Sequence, residues 1–502
     1  MNPAMRLRQN LGLAGLALLV LATRLPFRSQ VLYHWDSVNF AYAMREFNLA
    51  REQPQPPGYI VYVWLCRLVD GVFHDAQTTM VSLSILASVF AVLGMYFLGK
   101  EMYNPRTGWA AAAFLAASPL FWFYGEIALP HTLDAMLVIW ISLGLFRIMR
   151  GEHGLIYPVV VLMAITGGVR QQTLVFLGPL ALFAVRKLGP KRLAMAAVLG
   201  AVLCLAWFVP LIQLSGGLQE YLRIVGAFTD RFQKTTSVFM GAGWGGVRRN
   251  AIKLILYSGY GWNILCIPVL AMLVRTLKVR ALPRPGERAV FLALWVLPVG
   301  LFYLVVHMGQ QGLVFVFLPA LLLLSAAALD RWWGRQPRLF WTGVVLLVVI
   351  SGSIFALLPE YPLGSGTQRL LTRQTLQNND RYFLERFRVI RQSFPPENSS
   401  ILAANWHHVE FYLPEYRVFH FEVGAKWEVN EGLPENQTRQ LVAISDAGEK
   451  VILFDAELEP LNRTPELVER VGLSDGDQLA VLPLRNEEKL WIGVDGFGIV
   501  GR

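Results

Sequence analysis

Charged residues are scarce in this chain of 502 residues, since Asp, Glu, Lys and Arg together make up 16% of it. Soluble globular proteins carry about 25% charged residues. The hydrophobic share is 54% and the mean hydropathy is +0.43. The deficit of charge therefore excludes an ordinary soluble protein and indicates an integral membrane protein.

Cysteine and the common enzyme motifs are also missing or rare. The three cysteines, Cys66, Cys204 and Cys266, are far apart, and the last two lie in apolar runs. This spacing argues against a zinc site and against a disulfide framework. The chain lacks a Walker phosphate loop and an HExxH motif, and no nucleotide-binding glycine fingerprint follows a predicted strand. Any activated donor is therefore expected to reach the protein attached to lipid.

Long apolar segments recur over the first 358 residues. A helix needs about 20 apolar residues to cross about 30 Å of hydrocarbon. We predict about eleven transmembrane helices on this criterion, the first of them uncleaved because its apolar run has no small-residue cleavage site. They lie near residues 10–27, 78–98, 108–124, 134–149, 155–169, 173–186, 193–214, 251–274, 289–307, 311–329 and 339–358.

The connecting loops alternate in charge. Loops 100–106, 147–150, 186–192, 275–288 and 331–338 are basic, whereas loops 125–133 and 307–311 contain no Lys or Arg. Basic loops of membrane proteins lie in the cytoplasm. The alternation therefore predicts that residues 28–77, residues 215–250 and everything after about residue 359 lie on the outer face.

The first outer loop contains Asp36, next to Trp35 and just beyond the first apolar run. A carboxylate held at the bilayer edge among aromatic residues is costly unless a function uses it. We predict that Asp36 is catalytic and that Tyr42, Gln55 and Tyr59 of the same loop bind substrate. The alternative is that Asp36 caps an interfacial helix.

A second outer cluster comprises Glu126, His131 and Asp134, and a third is formed by Arg170 and Gln171. Asp134 is predicted as a second catalytic carboxylate, although a carboxylate at a helix start is also favoured by the helix dipole. Arg170 suits a phosphate because its guanidinium presents donors in a planar fork. The alternative is an arginine that extends to the lipid headgroups. Glu126, His131 and Gln171 are predicted to bind substrate.

The remaining candidates lie in two further loops. Arg248 and Arg249 follow a glycine-rich stretch, 241–246, in the long outer loop 215–250, and are predicted to bind a lipid phosphate. His307 and Gln310 are also predicted to bind substrate, with an ordinary polar turn as the alternative. Binding of a divalent metal ion remains an alternative, because His34, Glu126 and His131 carry atoms that can ligate one. Their spacing matches no metal-site pattern, and we assign no metal ligand.

The composition changes near residue 359. Residues 359–502 hold 15 basic and 22 acidic residues, although the whole chain carries a net charge of +10. Apolar runs at 400–404, 418–421, 450–454 and 478–483 have the length of strands, and 372–391 has a helical pattern. We predict an all-α polytopic membrane domain over residues 1–358 and a small α/β or α+β soluble domain over 359–502.

The first outer loop resembles that of a known family. It contains Trp35-Asp36, then Tyr42-Ala43, then the Pro-Pro-Gly-Tyr motif at 56–59. This order is similar to the membrane-embedded GT-C glycosyltransferases, in particular the protein O-mannosyltransferase and lipid A aminoarabinose transferase branch. The second acidic residue, here Asp134, fits the same pattern. The aminoarabinose branch has an acidic–basic pair before its Pro-Pro, where this chain has Pro54-Gln55, so the same sugar and a metal there are not implied.

The resemblance implies transfer of a sugar from a polyprenyl-phosphate donor to a lipid, glycan or protein acceptor, with Asp36 as the base. It places the protein in a bacterial inner membrane with its site facing the periplasm or exterior. Transport of a polyprenyl-linked lipid or glycan is an alternative, because transporters also combine many helices with polar groups. Transporters favour inverted repeats and midplane charges, whereas these candidates collect at one face. A non-catalytic assembly or receptor protein is the third hypothesis.

Overall fold

The structure, a computed structural model of the chain, describes residues 3–279, 286–362, 369–421, 440–443, 448–474, 476–485, 488–493 and 496–501. It divides into two compact units. The helical unit comprises Met1–Ser29 and Phe40–Leu376, and the mixed unit comprises Gln30–Asn39 and Gln377–Arg502. The predicted domain boundary lay after residue 358, and it left residues 30–39 with the membrane part.

Helices dominate the helical unit, which also holds the short antiparallel strands β1 (Tyr361–Pro362) and β2 (Arg369–Leu370). Helix α2 begins in the mixed unit and ends in the helical unit. The helices are α1 (Pro3–Arg24), α2 (Trp35–Arg45), α3 (Ile60–Phe73), α4 (Ala76–Met102), α5 (Pro105–Ala117), α6 (Pro119–Tyr124), α7 (His131–Met149), α8 (Ile156–Val169), α9 (Gln171–Val185), α10 (Pro190–Leu214), α11 (Leu218–Gln233), α12 (Gly243–Trp262), α13 (Ile267–Val279), α14 (Glu287–Val305), α15 (Leu318–Trp333) and α16 (Pro337–Leu357).

The apolar helices confirm an all-α polytopic membrane protein. Within the described residues, seven helical stretches are long and apolar enough to cross a membrane by length and composition. Two shorter apolar helical stretches, His153–Val169 and Gln171–Val185, lie in predicted transmembrane segments. Every segment predicted from the sequence is helical over most of its length.

Three of the predicted transmembrane helices are interrupted. Segment 251–274 is divided between α12 and α13 by the 3-10 turn Asn263–Cys266. Segment 108–124 is divided between α5 and α6 at Ser118, whose ψ of 118° is extended. Segment 311–329 begins as a 3-10 turn, Gln311–Val316, before α15. In these last two segments a proline follows the break, Pro119 and Pro319. Proline disfavours helical backbone at the preceding residue, which explains the break at Ser118. Proline also lacks an N–H donor, so Pro319 suits the first turn of α15, where that donor has no partner within the helix.

The outer loop 215–250 is more ordered than its glycines indicated. Residues Leu218–Gln233 form α11, and Gly243 begins α12. In α11 the apolar residues recur at helical spacing, so one face is apolar and the other carries charges such as Glu220 and Arg223. The long loop inferred from the sequence therefore contains an amphipathic helix, since residues 218–233 hold a single glycine, Gly226, and the glycine cluster lies farther on, at 241–246.

The mixed unit contains two sheets and two helices. A five-stranded sheet has the order β4-β3-β6-β8-β7, with β3 parallel to β4 and β6, and with β8 antiparallel to β6 and β7. A three-stranded antiparallel sheet has the order β10-β9-β5. The elements are α17 (Arg373–Ser393), β3 (Ser399–Ala403), α18 (Trp406–Tyr412), β4 (Arg417–His420), β5 (Gln440–Ala443), β6 (Lys450–Leu453), β7 (Glu469–Gly472), β8 (Gln478–Pro483), β9 (Lys489–Gly493) and β10 (Gly496–Val500).

The central strands of the five-stranded sheet, β3, β6 and β8, are buried on both faces. Ile401 of β3 packs with Phe383 and Phe387 of α17, whereas the next residue, Leu402, packs with Phe497 on the opposite side. Side chains of a strand alternate between the two faces of its sheet, so continuous apolar runs are required here. The predicted strands at 400–404, 418–421, 450–454 and 478–483 and the predicted helix at 372–391 match β3, β4, β6, β8 and α17 within a residue or two.

Candidate functional site

A buried ion pair joins the predicted second carboxylate to the predicted phosphate-binding arginine. Arg170 lies between α8 and α9, and its Nη1 is 3.3 Å from Oδ2 of Asp134 in the first turns of α7. Their side chains are 5% and 2% exposed. Thr173 donates a second hydrogen bond, 3.0 Å long, to the same carboxylate oxygen. Asp134 therefore orients an arginine and does not cap its own helix.

Two tyrosines lie beside this ion pair. The guanidinium of Arg170 interacts electrostatically with Tyr303 of α14 and with Tyr59 of the Pro-Pro-Gly-Tyr turn. The next residue, Gln171, donates from Nε2 to the Pro57 carbonyl at 3.3 Å. The first loop and the α8–α9 junction are therefore joined at the predicted site within the helical unit.

The turn that carries Tyr59 is tightly packed. Gly58 has a φ of +118°, and a Cβ atom there would lie 2.6 Å from Cδ1 of Leu211 in α10. Only glycine meets both conditions, because a left-handed backbone and contact with a neighbouring helix leave no room for a side chain. Gln55 is buried, and Glu52 forms an ion pair with Arg231 of α11.

A second predicted pair connects α7 to the segment after α14. Nε2 of His131 lies 2.9 Å from Oε1 of Gln310. An amide oxygen accepts, so this imidazole nitrogen is the donor. The ring of Tyr124 packs edge-on against His131 at 5.1 Å, and Gly312 fits between them. His131 is thus oriented from two sides.

Glu126 occupies a buried charge cluster of its own. Its side chain is fully buried, and Oε1 accepts a hydrogen bond of 2.8 Å from Trp122 Nε1. The guanidinium of Arg24 lies 4.5 Å from the centre of the Trp122 ring and interacts with Glu126. Burial raises the pKa of the Glu126 carboxyl well above its ordinary value, and the nearby arginine opposes that shift. We interpret the cluster as packing at the C-terminal end of α1.

A cationic patch is formed by Arg248, Arg249 and Lys253 of α12. The two arginines are exposed, and Lys253 interacts with Arg249 and with His307. Burial, followed by the charge of Lys253, lowers the pKa of His307 to about 4, so its imidazole is neutral near pH 7. Nδ1 of His307 lies 3.0 Å from the Thr236 hydroxyl. Helix α14 and the segment after it connect the patch to the buried ion pair. Tyr303 of α14 interacts with Arg170, and His307, about one helical turn farther along the chain, interacts with Lys253.

Asp36 belongs to the mixed unit, at the second position of α2. Its backbone N–H donates to Nδ1 of His34 at 3.1 Å, so the cap of this helix is the imidazole of His34 and not the carboxylate of Asp36. Oδ2 of Asp36 lies 3.5 Å from the same nitrogen. Since Nδ1 accepts a hydrogen bond from the Asp36 N–H, it carries no hydrogen to donate, and its approach to the carboxylate is not a charge-assisted hydrogen bond. Tyr42 lies farther along α2, in the helical unit.

A resident metal receives no support from the donor groups. Among the residues that the structure describes, no group of three or more His, Cys, Asp or Glu side chains is placed to hold a metal ion. The helical unit offers a buried arginine–carboxylate pair and an exposed cationic patch, which suits an anionic group. The mixed unit offers a carboxylate at a helix start, a group that can accept a proton.

The sequence analysis did not identify several residues that contact these groups. Thr173, Tyr303, Lys253 and Arg24 were not singled out, and neither was the ion pair of Glu52 with Arg231. Thr173 lies three residues after Arg170, so the start of α9 was the one local signal available. The other contacts join residues far apart in the sequence.

The sequence profile of the family described as dolichyl-phosphate-mannose-protein mannosyltransferase matches residues 54–213. That range contains the predicted site residues Gln55, Tyr59, Glu126, His131, Asp134, Arg170 and Gln171. No curated protein sequence matches the chain.

Solved structures are similar over almost the whole chain. ArnT from Cupriavidus metallidurans bound to undecaprenyl phosphate has a TM-score of 0.60 and 13% identity, covering 94% of this chain and 97% of that chain. The apo state of the same protein has a TM-score of 0.60 and 12% identity, covering 95% and 98%. Archaeal AglB from Archaeoglobus fulgidus, with an inhibitory peptide and a dolichol-phosphate, has a TM-score of 0.46 and 12% identity, covering 81% and 64%. The resemblance in the first loop is thus confirmed at the level of the fold, and this chain has a GT-C fold like that of ArnT.

Proposed function

We propose that this protein is a glycosyltransferase that moves a sugar from a polyprenyl-phosphate donor to an acceptor hydroxyl at the outer face of the membrane. The observation that carries the proposal is the match to the mannosyltransferase family over residues 54–213, the range that contains the buried Asp134–Arg170 pair. The fold of ArnT, a protein whose structure contains undecaprenyl phosphate, supports the class of donor.

The donor phosphate is assigned to the cationic patch on α12. Arg248 and Arg249 are exposed, and no ion pair of theirs occurs among the described residues. Arg170 is almost fully buried and already bonded to Asp134. A phosphate on a long lipid has to reach its cation, so the exposed arginines suit it better than Arg170, which the sequence also offered for this role.

Arg170 and Asp134 then serve a different purpose. The pair neutralises itself, and it lies beside Tyr59 and Tyr303. Gln171 and Tyr221 both donate to the Pro57 carbonyl, each at 3.3 Å. We assign this group to holding the Pro-Pro-Gly-Tyr turn against α9 and α11, so that Tyr59 and Gln55 face the sugar in a fixed arrangement.

Asp36 is assigned as the general base. As the acceptor oxygen bonds to the anomeric carbon, the bond between that carbon and the phosphate oxygen breaks. The hydroxyl proton passes to the Asp36 carboxylate, and the polyprenyl phosphate leaves with the bonding electrons. General-base catalysis contributes about 10² to 10⁴ in rate. Cations at the departing phosphate stabilise the charge that develops there.

The proposed location is the inner membrane of a bacterium, with the reaction on the periplasmic side. The alternating loop charges support this orientation, because basic loops stay in the cytoplasm. A pentose or a hexose fits the class equally, as does a lipid, glycan or protein acceptor. No observation favours transport over transfer.

Transfer of radiolabelled sugar from synthetic polyprenyl-phosphate donors in proteoliposomes tests the proposal. We expect Asp36→Asn to lower turnover by at least about 10² while donor binding is retained. Glu46→Gln is the matched control, because Glu46 is an exposed carboxylate just beyond the end of α2. Turnover of Asp36→Asn close to that of the wild type would remove Asp36 as the base.

The donor assignment has its own test. Arg248→Ala and Arg249→Ala should weaken binding of a polyprenyl phosphate and also slow transfer, since each removes a cation from the phosphate. Arg51→Ala is the control, an exposed arginine of the first loop. Unchanged donor affinity in both variants would return the phosphate to Arg170.

A further inference from the structure

The segment that carries Asp36 is folded into the mixed unit. Residues Gln30–Asn39 belong to the same compact unit as Gln377–Arg502, although the sequence places almost 340 residues between them. Val31 is fully buried and belongs to the apolar core formed by α17 and the five-stranded sheet, with Phe383 and Phe387. This stretch of the first loop is therefore part of the core of the mixed unit.

Hydrogen bonds from three side chains hold the backbone of this segment. The Asp380 carboxylate accepts from the N–H of Gln30 at 2.9 Å and from the N–H of Val31 at 3.4 Å. The Tyr412 hydroxyl accepts from the N–H of Leu32 at 2.9 Å. Nε2 of His408 lies 2.8 Å from the Leu32 carbonyl. Every one of these bonds goes to backbone, so together they fix the register of residues 30–32.

The protonation state of His408 follows from its contacts. The Leu32 carbonyl can only accept, so Nε2 carries the proton and donates. Nδ1 is buried and makes no hydrogen bond to any residue that the structure describes, as suits an unprotonated nitrogen. The ring stacks on Phe383 with 4.5 Å between centroids. His408 is therefore a neutral donor locked in one orientation.

Asp36 follows this anchored segment closely. Four residues of fully extended chain span at most about 14 Å, and the start of a helix shortens that distance. The Trp35 ring packs edge-on against His407, the neighbour of His408, at 5.6 Å. The imidazole of His34 caps the helix through the N–H of Asp36. Between the anchor and the carboxylate, the chain therefore has little freedom.

We propose that Asp380, His408 and Tyr412 are positioning residues for Asp36. They fix residues 30–32, and that segment in turn sets where the first turn of α2 places the carboxylate. The inference rests on the proposed function, since it takes Asp36 as the base. The C-terminal part of the chain then contributes to catalysis directly, by building the segment that carries the catalytic carboxylate.

Steady-state transfer by full-length protein in proteoliposomes tests the inference. We expect His408→Leu and Tyr412→Phe to lower kcat by about 10- to 100-fold, the range that misplacement by about 1 Å produces. KM for the donor should change less than about twofold, because donor binding rests on other residues. His408→Gln keeps an amide donor near the position of Nε2 and should recover most of kcat.

Tyr416→Phe is the matched control for Tyr412→Phe. Tyr416 is a buried tyrosine of the same core, and its hydroxyl donates to the carbonyls of Ile390 and Phe394, away from residues 30–39. We expect Tyr416→Phe to lower thermal stability about as much as Tyr412→Phe while kcat stays near the wild-type value. Equal losses of kcat in the two variants would assign both to general stability and overturn the proposal.

Two further readouts separate positioning from loss of folding. In an Asp36→Asn background, His408→Leu should produce no further loss of the residual turnover, because a misplaced base and an absent base are equivalent. Amide hydrogen exchange of residues 33–39 should rise in His408→Leu and Tyr412→Phe but not in Tyr416→Phe. Unchanged exchange in both anchoring variants would overturn the anchoring. A wild type that transfers no sugar from any donor would overturn the proposed function alone, since the exchange result stands without activity.

Discussion

The two units bury polar side chains in different ways. In the helical unit, the buried Asp134 and Arg170 pair with each other and with Thr173. In the mixed unit, Asp380 and Asp455 each accept from two backbone N–H groups, and Asp455 also accepts from the Asn405 and Tyr382 side chains. The buried carboxylate of the helical unit is bonded by side chains, whereas those of the mixed unit are bonded by the main chain as well.

The difference follows from where free backbone groups occur. A membrane-spanning helix bonds its own N–H and C=O groups internally, so a buried charge among such helices has to find a side chain. Segments that follow strands leave N–H groups without a ladder partner, as at Ala404 and Asn405 after β3. The buried Arg24 also bonds to backbone, and the carbonyl it reaches, that of Ala116, lies at the end of an interrupted helix.

The largest effect should come from breaking the buried ion pair of the helical unit. Arg170→Ala leaves the carboxylate of Asp134 buried without its cation, which typically costs about 3–5 kcal/mol. We expect a large fall in the thermal midpoint of the purified protein, followed by tryptophan fluorescence in detergent. The double variant Asp134→Asn/Arg170→Gln, which buries no charge, should recover part of the loss.

An exposed ion pair of the same unit provides the control. Arg223→Ala breaks the contact with Glu220 on α11, whose partners are both accessible to water. Exposed pairs contribute little because water replaces the partner, and no resolvable shift in the midpoint is expected. A small effect of Arg170→Ala, similar to that of Arg223→Ala, would contradict the assignment of Asp134 and Arg170 as a charged buried pair.

A smaller effect is expected from the mixed unit. Asp455 accepts from the N–H groups of Ala404 and Asn405 and from the Tyr382 hydroxyl. Asp455→Ala removes these bonds at a cost of about 2 kcal/mol, because water can reach the freed N–H of the exposed Asn405. Amide exchange of residues 399–405 in the full-length chain measures the loss. If Asp455→Ala lowers the stability as much as Arg170→Ala does, the two units do not differ in how much they lose when a buried charged group loses its partners.

Much of the helical unit could be predicted, because hydrophobic length and loop charge are local properties of the sequence. The alternation of basic loops placed Asp134 and Arg170 at the same end, and the structure brings them within 3.3 Å. The sequence could not show that they bond to each other, since α7 and the α8–α9 junction meet only through packing. For the same reason it treated Arg170 as available to a phosphate.

The sequence does not predict that residues 30–39 fold with the mixed unit. Val31 and Leu32 are two apolar residues among aromatic neighbours, a pattern that also fits an interfacial loop. Their partners, Asp380 and Tyr412, lie about 350 to 380 positions farther along the chain. The helical prediction for α17 was right, but nothing in the helix itself indicates that Asp380 bonds to the first loop.

The smallest effect concerns pH and the neutral histidine of the mixed unit. Burial lowers the pKa of His408 to about 4, below its ordinary value of about 6.5, whereas in the unfolded chain that ordinary value applies. Between these two values the unfolded state binds more protons than the folded state, so stability falls as the pH falls. From about pH 7 to about pH 6 the free energy of unfolding should fall by under about 1 kcal/mol, because only the upper part of the interval between the two pKa values is crossed.

His408→Gln does not titrate, so its thermal midpoint should shift less over the same pH interval than that of the wild type. The difference between the two shifts isolates His408 from the neighbouring His407, which is present in both proteins. Equal shifts would mean that His408 does not bind its proton more weakly in the folded protein, and the neutral donor to Leu32 would have to be abandoned.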